Sequence, residues 1–383
     1  MIFPRTLTFP KFKTSAFLFG PRLTGKTTIL RGLDYQEYFD LLDPSLELEY
    51  KTHPAHFWQH LSAVPSHTLI VIDEIQKIPS LLNYVQMDID QGRHHFLLSG
   101  SSARKLKRGG ANLLGGRALD LKIHPLTHQE LKGHFSIQHA LSFGTLPKIY
   151  ALLEENHKTL ARQHLNGYVS IYLKEEIQAE ALTRNLGAFN RFLIIAAQNN
   201  GQVIEFSNIS RECAVPASTV KEYYQILEDT LLGFYLWPFG HSERKKARPK
   251  FYFFDCGVVR AIQNRLSDPP TSAEQGYLFE TWFINELTRF RDYSGKSHQF
   301  SFWREGNQEI DIVISDSAGP LLALECKSGN VDIRQSAIQH FQSVFPNVPL
   351  IVASLTDTRP RKMGSIEVLP WASALRYCQE KLC

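Results

Sequence analysis

Residues 16–27 read AFLFGPRLTGKT. A short apolar run passes directly into Gly20-Pro21-Arg22-Leu23-Thr24-Gly25-Lys26-Thr27, which meets G-x-x-x-x-G-K-[ST] at every fixed position. The glycines let the backbone curl until its amide N–H groups face phosphate oxygens. A helix from Thr28 to about Arg31 adds the positive end of its dipole. Lys26 is placed to bridge the terminal phosphates of a nucleotide such as ATP, and Thr27 to bind Mg²⁺. A glycine-rich turn without a ligand is the plain alternative. A full match set between a strand and a helix weighs against it.

The surrounding sequence supports an α/β reading. From Ala16 to about Ile123 the apolar runs AFLF, TLIVID, HHFLLSG and ALDLKIHPL alternate with helical patterns, which predicts a parallel sheet covered on both faces. In TLIVIDEIQ, Asp73 ends a strand where it can hold Mg²⁺ through water, and Glu74 can polarise an attacking water, as in a hydrolase. Acids that merely favour a helix N-terminus are the alternative. Ser99 or Ser101, after HHFLL, can sense a γ-phosphate or be a simple turn serine. Arg117, ahead of the next strand, fits an arginine finger reaching a neighbouring subunit, or a solvated surface arginine; the finger requires an oligomer.

Bulk properties set the frame. A chain of 383 residues is too long for one core and points to two or three domains. Its 43% hydrophobic and 21% charged residues are ordinary for a soluble globular protein, and a net charge of +4 is too mild to argue for nucleic acid by itself. The five cysteines (Cys213, Cys256, Cys326, Cys378 and Cys383) are odd in number and lack zinc-type spacing, as expected in a reducing compartment. With no signal-peptide pattern and no long apolar span, the expected location is the cytoplasm, away from membranes.

Beyond a helical stretch from about Leu146 to Ala197, residues 201–239 contain a short helix, a turn at Val215-Pro216 and a second helix from about Ser218, spaced like a helix-turn-helix. The runs GFYLWPF and KFYFFD then frame a polar tip, as in a wing. Arg244, Lys245, Lys246, Arg248 and Lys250 make that tip basic, suited to nucleic-acid phosphates or simply solvated. The second helix carries Lys221 but also Glu222, Glu228 and Asp229, which is acidic for a major-groove reader. SDPPTSAEQG reads as a linker into a last unit with a helix, YLFETWFINELTRF, and strands at QFSFWR, EIDIVI, LLALECK and LIVAS.

Two of those strands carry charges at their ends. Residues two apart share a strand face, so Glu309 and Asp311 point one way, as do Glu325 and Lys327. If the strands pair as a hairpin, Asp311, Glu325 and Lys327 converge, and Glu280 on the preceding helix can join them. Such carboxylates form a hard oxygen site for Mg²⁺ or Mn²⁺, and Lys327 can orient water or neutralise a phosphorane. A salt-bridged cluster without a metal accounts for the same residues.

Taken together, GPRLTGKT, VIDEIQ, LLSGSS, GGR, a winged helix, LFE, EIDIVI and ECKSG resemble a prokaryotic AAA-type ATPase family over about residues 15 to 330. Its members join a P-loop module to a C-terminal PD-(D/E)XK-like domain of the restriction-nuclease fold. The resemblance implies an AAA-type parallel sheet over 1–145, a helical and winged-helix domain over 146–266, and a nuclease-like α/β domain over 267–383. It makes Lys26 and Thr27 nucleotide ligands, Asp73 and Glu74 the Mg²⁺ and water residues, and Glu280, Asp311, Glu325 and Lys327 the nuclease-like set. Ile310 stands where the motif has its leading proline. The expected function is ATP-controlled, metal-dependent nuclease action on nucleic acid, DNA foremost. An ATP-driven switch or DNA-binding regulator with an inactive nuclease-like domain is the alternative.

Overall fold

Five parallel strands build the first sheet: β1 (Ser15–Phe19), β2 (Glu37–Asp40), β3 (Leu69–Asp73), β4 (His95–Gly100) and β5 (Ala118–Lys122), in the order β2-β3-β4-β1-β5. The structure, a computed structural model, describes residues 1–9, 14–101, 114–173, 186–240, 247–329 and 335–382. Strands β1 and β3 are buried along their whole length. Phe17, Phe19, Ile70, Ile72, Phe96 and Leu98 pack with Phe57, Leu61, Leu81 and Val85 on one face. Ala16, Leu18, Leu69, Val71 and Leu97 pack with Leu30 on the other. Burial on both faces explains why these strands read as unbroken apolar runs. The edge strand β2, sequence EYFD, has no such run; only Phe39 in it is buried, and the sequence reading omits it.

Helices follow at Pro147–Glu154, Lys158–Gly167 and Leu186–Gln198. Phe206–Cys213 and Ala217–Asp229 then form the expected helix pair, turning at Ala214 with φ 54°. Phe192, Tyr223, Tyr224 and Phe251 lie in one buried cluster that ties this unit to the hairpin of β6 (Gly233–Pro238) and β7 (Lys250–Phe253).

That hairpin does not stand apart as a free wing. Strand β6 pairs in parallel with β8 (Gln299–Glu305) through Trp237 and Ser301, so β6 and β7 extend the C-terminal sheet. Its other strands are β9 (Gln308–Ser315), β10 (Pro320–Lys327), β11 (Leu350–Ser354), β12 (Arg361–Met363) and β13 (Ile366–Pro370). The order of the eight is β12-β13-β11-β10-β9-β8-β6-β7. Strand pairing thus crosses the expected division at 266/267. Strands β12 and β13 and the final helix Trp371–Leu382 have no counterpart in the sequence reading.

The long helix Ser272–Ser294 joins the two sheets. It begins inside the expected linker because Thr271 and Glu274 form a reciprocal capping box, a T-S-A-E pattern that satisfies the first N–H groups. Leu278, Phe279, Trp282, Phe283 and Leu287 pack with Ile312, Ile314, Leu322 and Leu324. Further along, the buried Arg289 guanidinium donates to the Leu126 carbonyl at 2.9 Å, Thr145 Oγ1 at 3.1 Å, Glu286 Oε1 at 3.1 Å and the Phe254 carbonyl at 3.1 Å. A buried charge is tolerable when so many acceptors surround it.

The four cysteines among the described residues, Cys213, Cys256, Cys326 and Cys378, are free and buried. Among the described residues no helix is long and apolar enough to cross a membrane.

Removing the guanidinium takes a donor from the Leu126 and Phe254 carbonyls and leaves the buried Glu286 with His128 alone beside it. Arg289→Ala is expected to cost about 3–5 kcal/mol, read as a lowered midpoint in urea unfolding followed by tryptophan fluorescence. An unchanged midpoint contradicts the structural role given to Arg289.

Candidate functional site

The first site lies at the carboxyl ends of β1, β3 and β4, where a doubly covered parallel sheet leaves its crevice. The loop Gly20 to Thr27 closes tightly. A Cβ on Gly20 would meet Ile123 Cγ2 and its carbonyl at 2.5 Å, and Gly25, at φ +92°, takes a conformation that other residues resist. Gly25 caps the helix Lys26–Leu30 with no side-chain hydrogen bond. The Lys26 ammonium is buried against the loop, donating to the Gly20 carbonyl at 2.6 Å and the Pro21 carbonyl at 3.2 Å. Thr24 Oγ1 donates to the Pro21 carbonyl at 2.7 Å and locks the turn.

Asp73 is the hub beside this loop. Its carboxylate accepts from Thr27 Oγ1 at 2.8 Å, from the Tyr38 hydroxyl at 2.7 Å, and from Ser99 Oγ. Burial pushes the Tyr38 phenol well above its ordinary pKa, and Asp73 adds to the shift, so Tyr38 stays a donor. Ser99 Oγ also accepts the Glu74 backbone N–H at 3.0 Å. Glu74 stands at φ 61° as the first residue past β3, and its carboxylate accepts from Gln76 Nε2. Ser101 Oγ lies 3.5 Å from the same amide nitrogen. The structure therefore brings Thr27, Asp73, Glu74 and Ser99 together. Arg117 lies elsewhere, with Nε 2.5 Å and Nη2 3.2 Å from the two Asp90 carboxylate oxygens.

The sequence reading misses Arg5, which straps this loop to the rest of the chain. Its guanidinium donates to the Thr24 carbonyl at 2.8 Å, the His124 carbonyl at 2.6 Å, the Tyr293 hydroxyl at 2.8 Å and Glu130 Oε1 at 3.0 Å. An isolated arginine fifteen residues before the phosphate loop gives no sequence signal of this role. Beside it a cavity of about 480 Å³ opens next to Gly25 and Thr28, with Phe3, Leu23, Ile29 and Pro147 among its apolar walls.

The second site forms where β9 and β10 run antiparallel, with Leu324 opposite Ile312. One residue on, Asp311 and Glu325 interlock: the Asp311 N–H donates to Glu325 Oε1 at 3.3 Å, and Asp311 Oδ2 accepts the Cys326 N–H at 2.9 Å. Lys327 Nζ donates to Glu325 Oε2 at 2.7 Å. Burial, helped by Asp311, pushes the Glu325 carboxyl up to about 8, while Lys327 pulls against the shift. Burial also raises Glu280, with Lys250 opposing and Asp311 adding to the rise.

Lys250 is the unexpected member. It does not lie with the basic tip; its side chain is only 4% exposed, with Nζ 3.2 Å from Glu280 Oε1 and 2.8 Å from Glu309 Oε1. The Tyr252 hydroxyl also donates to Glu280. Burial acts to lower the Lys250 ammonium, yet Glu280, Tyr252, Asp311 and Glu309 together hold it well above its ordinary value. The one sequence cue is that KFYFFD opens an apolar strand with a lysine. Among the described residues no group of three or more His, Cys, Asp or Glu side chains is arranged to hold a metal ion. Asp311 and Glu325 supply two adjacent hard oxygen donors, and Glu280 is engaged by Lys250 and Tyr252. Of the other tip residues, Arg248 pairs with Glu205, and Arg244, Lys245 and Lys246 lie outside the described residues.

Comparison with known proteins adds a family match for the first site. Residues 13–132 match a family described as an AAA domain. Residues 135–268 and 275–374 match two families described as domains of unknown function. An uncharacterized protein of Mycobacterium tuberculosis is 24% identical over 314 residues, covering 79% of this chain and 68% of that protein. An uncharacterized protein of Methanocaldococcus jannaschii is 23% identical over 343 residues, covering 80% and 75%. Among solved structures, the ORC1 protein of Aeropyrum pernix in complex with DNA aligns at a TM-score of 0.30 and 13% identity, covering 68% of this chain and 88% of that one. The replication initiator DnaA bound to AMPPCP and single-stranded DNA aligns at 0.29 and 14%, covering 57% and 83%. The AAA match falls on the parallel sheet and its phosphate loop, so the N-terminal part is similar to P-loop AAA domains in both sequence and fold.

The raised Glu325 carboxyl gives a stability signature. A folded-state pKa above the unfolded one favours folding fully below about 4.5, and the benefit fades as pH rises through about 8. The thermal midpoint of the wild type minus that of Glu325→Gln should therefore fall between pH 5 and 9, within the range of about 4 to 9 where such shifts act. A flat or rising difference refutes the burial-driven shift.

Proposed function

We propose that this protein binds and hydrolyses ATP in its N-terminal domain and that the nucleotide state governs a metal-dependent, nuclease-like centre acting on nucleic acid, with DNA the leading candidate. The observation that carries the proposal is a continuous connection. Arg5 holds the Thr24 carbonyl of the phosphate loop and the Tyr293 hydroxyl, and Tyr293 belongs to the same helix as Glu280.

The first site fits a nucleoside triphosphate by its donor chemistry. Lys26 and the helix start after Gly25 would offer positive charge to phosphates. The apolar cavity beside Leu23 and Ile29 suits a base. Thr27 and Asp73 are the residues that would hold Mg²⁺, which when bound offsets phosphate charge. Glu74, the first residue past β3, would polarise a water, and Ser99 bonds both Asp73 and the Glu74 backbone. A finger role for Arg117, which here pairs with Asp90, would require a neighbouring subunit's nucleotide and so a homo-oligomer.

At the second site Asp311 and Glu325 are the residues that would hold Mg²⁺ or Mn²⁺, with Glu280 as a third. Such an ion polarises a phosphodiester and acidifies bound water. Lys327, on Glu325, stands ready to orient that water or neutralise negative charge. The basic residues Arg244 to Arg248 would steer nucleic-acid phosphates. A second reading, an ATP-driven switch whose last domain does not cut, is favoured by the lysines that already neutralise these acids.

Supercoiled, linear and single-stranded DNA and RNA, incubated with Mg²⁺ or Mn²⁺ with and without ATP, test the proposal. Lys327→Ala should abolish cleavage and spare ATP turnover, whereas Lys26→Ala should lose ATP turnover and ATP-dependent control. Absence of divalent-dependent cleavage on every substrate leaves the switch reading in its place.

A further inference from the structure

We infer that Lys250 is a built-in cation that excludes divalent metal from the full acid cluster by holding Glu280 and Glu309. This rests on the reading of Asp311 and Glu325 as metal-holding residues and deepens it.

Lys250 enters from β7, a strand of the hairpin that follows the helix-turn-helix, and it meets acids from two other elements. Its ammonium is 3.2 Å from Glu280 Oε1 on the long helix and 2.8 Å from Glu309 Oε1 on β9. Four carboxylates face this space: Glu280, Glu309, Asp311 and Glu325. Carboxylates gathered this closely repel one another, and two routes relieve them, a divalent ion or inserted ammonium groups. This chain takes the second, with Lys250 on Glu280 and Glu309 and Lys327 on Glu325.

The consequence for cation binding is direct. A divalent ion needs oxygen ligands at close range, and an ammonium held on Glu280 both occupies that carboxylate and repels the incoming charge. Asp311 and Glu325 remain as a two-carboxylate site of low affinity. Loss of the Lys250 charge takes an ammonium from beside Glu280 and lessens the repulsion of an incoming divalent ion.

The test is Mn²⁺ binding to the nucleotide-free full-length protein, followed by electron paramagnetic resonance of free Mn²⁺. Lys250→Met should bind Mn²⁺ on the order of tenfold more tightly than the wild type, Lys250→Arg should stay near the wild-type value, and Lys250→Met with Glu280→Gln should lose the gain. Lys250→Gln, which keeps a hydrogen-bonding tip without charge, should show the same gain and serves if the methionine variant does not fold. Equal or weaker binding in a folded, neutral Lys250 variant overturns the inference, as does absence of binding in wild type and variants alike. Asp311→Asn separates the two layers. If it weakens Mn²⁺ binding while the Lys250 variants do not strengthen it, only the lysine inference fails. If it has no effect on Mn²⁺ binding, the metal reading beneath it fails.

Discussion

The polar groups that the helix Ser272–Ser294 buries against the N-terminal domain hold the two halves of the chain in register. Along one side it packs on the C-terminal sheet through Phe279, Trp282 and Phe283. Along the other it meets the N-terminal domain with Glu286 on His128 at 2.6 Å, Asp292 on His124 at 2.8 Å, Arg289 on the Leu126 carbonyl and Tyr293 on Arg5. Buried charges and hydrogen-bonding groups demand specific partners, so the helix tolerates few positions against either sheet. Glu280 and Tyr293 are thirteen positions apart on it, roughly 20 Å of helix axis. A stiff element of that length joins the phosphate loop's strap to the acid cluster.

The two charged centres solve opposite electrostatic problems. Around the phosphate loop the chain gathers donors, with the Lys26 ammonium folded onto the loop's own carbonyls at the start of a helix. Around Asp311 it crowds carboxylates, and lysines make the crowd tolerable. Both are regions where local packing works against low energy, and such places mark function more often than stability.

Much of this was legible in the sequence, for identifiable reasons. The phosphate loop is local, since eight consecutive residues carry its turn, its lysine and its threonine. Strands β1, β3 and β4 are buried on both faces and so announce themselves as apolar runs. The charges at the ends of β9 and β10 were readable because side chains alternate, and the observed pairing brings Asp311 beside Glu325 as alternation and a hairpin require. What was not legible is long-range. Arg5 reaches Tyr293 across 288 positions of sequence. Lys250 looks like part of a basic tip because five cations cluster between 244 and 250, yet the strand register carries it into the interior. Strand β2 is a short polar edge, and the pairing of β6 with β8 joins units that a Pro-rich linker makes look separate.

On the reading proposed above, nucleotide occupancy at the phosphate loop is felt along the helix Ser272–Ser294. Hydrogen–deuterium exchange of the wild-type protein with and without a non-hydrolysable ATP analogue measures this directly. The account predicts altered exchange in peptides spanning residues 277–293 together with protection of residues 20–30. Protection confined to residues 20–30, with the helix unchanged, would contradict it.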